Sequence, residues 1–190
     1  MKTINLLIGK PGSGKTTVGS WLENEINSKY LSLGSFCRSE INSKTHLGKE
    51  IEVYFKNSKK FPPSFLQKIV TQMIRNDQNI IIDGIPRRLE EISILKNIST
   101  NSRKGVCILI DIPDDVAASR VHGRIGRHDN NELVYRLDEF STNIDAILSE
   151  IKKLGFKVVS IDGSPPVSTV KKSISKSLNS EKCNISRDDI

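Results

Sequence analysis

Rings, thiols and long apolar runs are all scarce in this chain of 190 residues. Aromatics make up 5%, so Leu, Ile and Val must fill the interior in their place. No run approaches the ~20 consecutive apolar residues that a membrane-spanning helix needs, and a membrane span is excluded on that ground. Met1 to Ile8 leads straight into a glycine-rich stretch without a secretory h-region or a cleavage site, which makes the cytosol the expected compartment. Cys37, Cys107 and Cys183 are widely spaced and odd in number, with no CxxC pair, so neither a disulfide framework nor structural zinc is expected. Cys37 and Cys107 read as small apolar packing groups. Arg38 beside Cys37 favours the thiolate, but nothing else marks a nucleophile.

What is present suits one compact domain: 36% of the residues are hydrophobic, and two full domains would be a squeeze at this length. The 29 Lys and Arg against 22 Asp and Glu leave a net charge of +7, which points to an anionic partner: nucleotide, nucleic acid or acidic surface. Strand-like segments alternate with helical ones, the pattern of a parallel sheet covered by helices on both faces. Strands are expected at 3–8, 30–33, 80–83, 106–112 and 157–161. Helices are expected at 15–28, 36–57 with a break near His46, 64–76, 88–97, 114–123, 132–153 and 167–178, with a frayed tail over 179–190. Ile80 to Ile82 and Cys107 to Ile110 are continuous apolar runs, as central strands buried on both faces require. Ligands should then gather at the carboxyl ends of the strands. Trp21 is expected to pack on the core, and His46 and His122 to lie on helix surfaces.

Gly9-Lys10-Pro11-Gly12-Ser13-Gly14-Lys15-Thr16 fits G-x-x-x-x-G-K-[ST], with an apolar strand before it and a helical pattern after it. Such glycines let backbone N–H groups curl around phosphate oxygens at a helix N-terminus, where unpaired donors and the helix dipole favour an anion. Lys15 then sits against the β- and γ-phosphates, and Thr16, with Thr17 able to share the work, against Mg²⁺. The bland alternative is a turn that only links a strand to a helix. The register of strand, loop, lysine, threonine and helix argues against it. A phosphate loop names a nucleotide, however, and not a reaction.

Four further stretches narrow the class. They are Leu31-Ser32-Leu33-Gly34-Ser35-Phe36-Cys37-Arg38; Leu47-Gly48-Lys49-Glu50-Ile51 with Phe61-Pro62; Ile82-Asp83-Gly84-Ile85-Pro86-Arg87-Arg88; and Pro113-Asp114-Asp115 continuing through Arg120, Arg124, Arg127-His128-Asp129-Asn130 and Arg136. Together with the phosphate loop, and in this order, they resemble the adenylate kinases from the first strand to about Ile174. The third stretch resembles that family's D-G-F-P-R-T segment.

The resemblance implies an α/β, three-layer P-loop fold with a five-stranded parallel sheet, forming one nucleoside monophosphate kinase domain over 1–178. It has a helical acceptor-binding flap at about 34–61 and a lid at about 124–131. ATP is the implied donor, Mg²⁺ the cofactor and a nucleoside monophosphate the acceptor, in a monomer that needs neither membrane nor nucleic acid. Arg38 and Arg87 are expected to bind the acceptor phosphate. Arg120 and Arg124 hold the donor, and Arg127 and Arg136 close over the transferring phosphoryl with Asp129 beside them. Asp83 would orient Mg²⁺-bound water, and Gly84 would let the backbone approach the acceptor base, with Leu33, Gly34 and Phe61 also lining its site. Arginine suits this chemistry because its planar fork grips phosphate bidentately and stays ionised. Only fifteen residues separate Arg120 from Arg136, so the lid is short and His128 is a poor metal ligand. Gly123 and Gly126 would permit the closure that excludes water.

Three departures concern the acceptor base: Leu33 for a threonine, Ser35 for an aspartate, and Glu91 where adenylate kinases carry a glutamine. A glutamine both donates and accepts, whereas a carboxylate only accepts, which disfavours adenine N1 and suits the N–H edge of guanine. Either Glu91 faces the base and weakens AMP preference, with GMP or another monophosphate used, or it is an exposed helix residue and backbone near Phe61 and Gly84 reads the base. Two other functions compete. A P-loop kinase of another small molecule has no need of both Arg38 and Arg87 if its acceptor is neutral. A nucleotide-regulated nucleic-acid or protein binder should interleave its basic residues with stacking aromatics, and this chain does not.

Overall fold

The computed structural model describes residues 2–57, 59–74, 78–122 and 133–185. Its strands are β1 (Thr3–Gly9), β2 (Lys29–Ser32), β3 (Ile80–Asp83), β4 (Arg103–Asp111) and β5 (Lys157–Asp162). They form one sheet in the order β2-β3-β1-β4-β5, and every pairing is parallel. The helices are α1 (Lys15–Glu25), α2 (Leu33–Asn42), α3 (His46–Lys56), α4 (Pro63–Met73), α5 (Ile92–Ser99), α6 (Asp114–His122), α7 (Leu133–Lys153) and α8 (Val167–Ile185). A 3₁₀ turn, Leu89–Glu91, precedes α5.

The period of two along a strand sorts the apolar runs onto two faces. Ile4, Leu6, Ile80, Ile82, Cys107 and Leu109 point into a core shared with α2, α3, α4, α5 and α7. Leu7, Ile81, Ile108 and Ile110 point the other way, onto Val18 and Leu22 of α1 and Val170 and Ile174 of α8. The result is the three-layer α/β arrangement expected of continuous apolar strands. Trp21 joins the second core, with Lys171 over its ring at 5.5 Å. His46 is on the surface and pairs with Glu50 at 2.9 Å.

Several boundaries differ from the sequence reading, each for a local reason. Leu33 opens α2 instead of ending β2, because Ser32 is still extended while Leu33 turns inward and is buried. The expected break near His46 is the turn in which Lys44 takes φ 51° and the Thr45 hydroxyl caps α3 by accepting from the Gly48 N–H at 2.9 Å. β4 starts at Arg103, whose N–H donates to Lys2 at 2.9 Å. The tail expected to fray from 179 instead continues α8 to Ile185, since no Gly or Pro interrupts the segment from Val167 onward.

Asn5 explains the one irregularity of the sheet. The β1–β4 register shifts between Ile4 and Leu6, so β4 carries an extra residue there. The Asn5 side chain, 7% exposed, fills the gap: its Oδ1 accepts from the Val106 N–H at 3.0 Å, and its Nδ2 donates to the Ile80 carbonyl at 3.4 Å. It thereby ties β1 to both neighbours. Asn5→Leu leaves the Val106 N–H without its acceptor and should destabilise the fold by about 1–3 kcal/mol in urea unfolding; an unchanged midpoint would count against this account.

Candidate active site

The carboxyl ends of β1, β2 and β3 converge, since Leu7 and Ser32 both register with Asp83. The loop from Gly9 to Gly14 bridges from β1 to α1. Gly14 is the N-cap residue at φ 88°, a left-handed conformation in which its missing Cβ costs nothing. Gly12 is needed for space: a Cβ there would lie 2.7 Å from the Ala117 carbonyl oxygen of α6. The Lys10 ammonium anchors the same edge, donating to the Ile112 carbonyl at 3.0 Å and pairing with Asp114 at 2.7 Å. The Lys15 ammonium curls over the loop and donates to the carbonyls of Gly9 at 2.6 Å and Lys10 at 2.7 Å and to the Ser13 hydroxyl at 3.3 Å. Thr16 and Thr17 are exposed in the first turn of α1.

One cleft runs from this loop to the end of β3 and on to α7. Gly9, Pro11 and Lys15 line one side, Asp83, Gly84 and Arg87 the floor, and Arg136 the far wall, with Glu139 and Phe140 on the turn after it. Of these, Gly9, Pro11, Lys15, Asp83, Gly84, Arg87 and Arg136 are expected site residues, and they lie around a single space. Asp83 is 6% exposed, and its Oδ2 accepts a 2.7 Å hydrogen bond from the Tyr30 hydroxyl. Gly84 follows at φ 103°, where an added Cβ would meet Leu33 Cβ at 3.1 Å and the Arg87 guanidinium at 3.3 Å. Leu33 is therefore buried behind Gly84, while Gly34 lies against the Arg38 guanidinium. Arg38 and Arg87 are both exposed, and both act electrostatically on the Cys37 thiol, while of the two Arg87 lines the cleft. Arg38 also donates to the Ser35 hydroxyl at 3.2 Å.

Three expected site residues have other partners. The Phe61 ring packs with Tyr54, Phe55 and Phe65, at centroid distances of 5.3, 6.0 and 5.5 Å. Arg120 directs both terminal nitrogens to the turn after β5, donating to the carbonyls of Gly163 and Ser164 at 2.8 Å each, so it would have to leave them to reach a phosphate. Glu91 is 3% exposed, which corrects the picture of an exposed helix residue. Its Oε2 accepts from the Arg87 N–H at 2.7 Å, and its Oε1 takes Nε and a terminal nitrogen of Arg88 at 3.1 and 2.9 Å. Arg124, Arg127, His128 and Asp129, and with them the short lid at 124–131, lie outside the described residues.

Sequence reasoning missed Tyr30, Lys10 and Arg88. None stands in a motif position whose chemistry announces it, and each acquires its role from a partner that the fold delivers.

The cleft combines a lysine-bearing phosphate loop, a buried carboxylate at a strand end and arginines facing both. On a parallel α/β sheet these are the features of a P-loop phosphotransferase. Comparison with known proteins gives the family. The family model "Adenylate kinase" matches residues 7–156. The adenylate kinase of Campylobacter concisus is 35% identical over 162 residues, 81% of this chain and 82% of that protein. That of Campylobacter lari is 36% identical over 142 residues, 71% and 74% of the two chains. That of Prochlorococcus marinus is 30% identical over 184 residues, 94% of this chain and 100% of its own. The chain belongs to the adenylate kinase family and is a nucleoside monophosphate kinase.

Cys37 and Cys107 are buried and do not line the cleft. Burial pushes the Cys37 thiol up to about 11, outweighing the pull of Arg87 and Arg38 that its neighbour in sequence had suggested. Burial alone pushes Cys107 up to about 12. Both stay thiols at neutral pH, so iodoacetamide at pH 8 should leave the peptides carrying Cys37 and Cys107 unmodified in the native protein and label them after denaturation. Rapid labelling of Cys37 in the native state would contradict its burial.

Proposed function

We propose that this nucleoside monophosphate kinase uses ATP with Mg²⁺ as donor and AMP as its main acceptor, with GMP or another monophosphate accepted more slowly. The observation that carries the reading is the single cleft shared by Lys15, Asp83, Arg87 and Arg136. The backbone of 9–14 and the ammonium of Lys15 bind the donor's β- and γ-phosphates. Arg38 and Arg87 hold the acceptor phosphate in line. Arg136 closes over the transferring group together with Arg127 and Asp129, and Arg120 and Arg124 serve the donor side. No covalent intermediate with the chain is needed, because such transfer depends on positioning and charge neutralisation.

The donor set fits Mg²⁺. Among the described residues no group of three His, Cys, Asp or Glu is assembled to hold a metal, and Mg²⁺ in phosphotransfer sites characteristically uses one or two protein oxygens, waters and the substrate's own phosphates. The Thr16 hydroxyl and, through water, the Asp83 carboxylate would hold it. Bound there, it neutralises charge on the transferring phosphoryl. No helix among the described residues is long and apolar enough to cross a membrane; a monomer working in the cytoplasm is the arrangement we favour.

Glu91 bears on the acceptor base. Both its oxygens are engaged by the segment that carries Arg87, so its carboxylate serves to set the acceptor-phosphate clamp, leaving the base to backbone groups near Gly84 and Phe61.

Lys15→Ala or Arg87→Ala should lower transfer by at least about a hundredfold, as loss of a positioned charge to the transition state does, with thermal unfolding little changed. Near-normal turnover in either variant would overturn the site assignment. Rates with AMP, GMP, CMP and UMP should rank AMP first. In Glu91→Gln all rates should fall with their ratios kept; a selective gain for AMP would restore base reading to Glu91.

A further inference from the structure

The hydroxyl of Tyr30 lies where the expected metal-binding chemistry needs a fixed acid. We infer that Tyr30 is a positioning residue that locks the Asp83 carboxylate in the orientation required for Mg²⁺-bound water, and that Gly19 exists to admit its ring. The inference rests on the reading of Asp83 given above and adds the groups that set its geometry.

Tyr30 lies on the edge strand β2, one residue before Ser32's neighbour Leu31, and is half-buried against the core that α1 and α8 close. Its hydroxyl donates to Asp83 Oδ2 at 2.7 Å across a sequence separation of 53 residues. An ionised carboxylate is an acceptor only, so a donor committed to Oδ2 restrains the rotation of the Asp83 carboxylate, which lines the cleft. The ring lies against Gly19 of α1, the helix whose first turn carries Thr16, the other expected metal oxygen.

Gly19 supplies the independent observation. It sits inside α1, where glycine is about 1 kcal/mol worse than alanine. A Cβ at this position would overlap the Tyr30 ring, with Cζ only 2.6 Å away. The helix gives up propensity at the one point where the ring must approach it. A tyrosine held merely as packing would need the ring contact but not the hydroxyl, and the two functions separate experimentally.

ATP binding to the intact protein is measured by calorimetry with and without Mg²⁺, alongside turnover as a function of free Mg²⁺. Tyr30→Phe keeps the ring and removes the donor. It should raise the Mg²⁺ concentration for half-maximal turnover by about tenfold, the effect of losing one hydrogen bond to a charged group, and remove a comparable part of the affinity that Mg²⁺ adds to ATP. Binding of ATP without Mg²⁺ should stay at the wild-type level, which also certifies the fold of the variant. Gly19→Ala, which keeps the hydroxyl but displaces the ring, should reproduce the shift, and the double variant should add nothing further. A Tyr30→Phe protein with the wild-type Mg²⁺ requirement, or one that loses ATP affinity equally with and without Mg²⁺, would overturn the inference alone. A wild-type protein whose ATP affinity ignores Mg²⁺ would overturn the metal reading and the inference with it.

Discussion

The site depends on where β1 stops. Paired on one side with β3 and on the other with β4, β1 delivers its last residue to the centre of the sheet's carboxyl edge, and the phosphate loop must begin there. The loop then has little freedom. A Cβ at Gly9 would collide with the Ile110 carbonyl and one at Gly12 with Ala117, while the Lys10 ammonium grips the Ile112 carbonyl and Asp114. Its curvature is moulded from outside by the end of β4 and the start of α6 as well as by its own glycines. A loop so braced presents its backbone donors without reorganising, the condition under which fixed dipoles act most strongly on developing charge.

The same edge gathers charge from segments remote in the chain. Asp83 ends β3, Arg87 follows it and Arg136 comes from α7, and all three line one cleft with Lys15 and Glu139. The acids nearby have separate tasks. Glu91 is consumed in holding the Arg87 segment, and Asp83 is held by a phenol. The net charge of +7, which at first admitted nucleic acid, is matched by the sequence expectation for a small-molecule ligand, which places six of the ten arginines and Lys15 against two phosphate chains.

Much of the fold was legible because its determinants are local. Ile80 to Ile82 and Cys107 to Ile110 are apolar without alternation, and only a strand covered on both faces uses such a run. Gly9 to Thr16 carries its own geometry in residue types and spacing. What local sequence could not show was set by distant contacts. Cys37, read as a packing group despite its neighbour Arg38, is buried, and burial outweighs the pull of Arg38 and Arg87 on the thiol. Glu91 looked either exposed or turned to a base, because its spacing from Arg87 shows nothing of the inward turn at 89–91 that buries it. Arg120 stands on a helix that lays it over the turn after β5, a contact made across 43 residues.

The amino-acid order by itself therefore determined the layer architecture, the phosphate loop and the chemical class of the ligand, since each follows from periodicity or from a motif short enough to act within one turn of backbone. Only the tertiary structure decided which polar groups are partners: Asn5 with Val106 across 101 residues, Tyr30 with Asp83 across 53. The physical reason is that hydrogen bonds require approach to about 3 Å. In a parallel sheet that approach is governed by strand order and register, which long crossover connections set and no local pattern records.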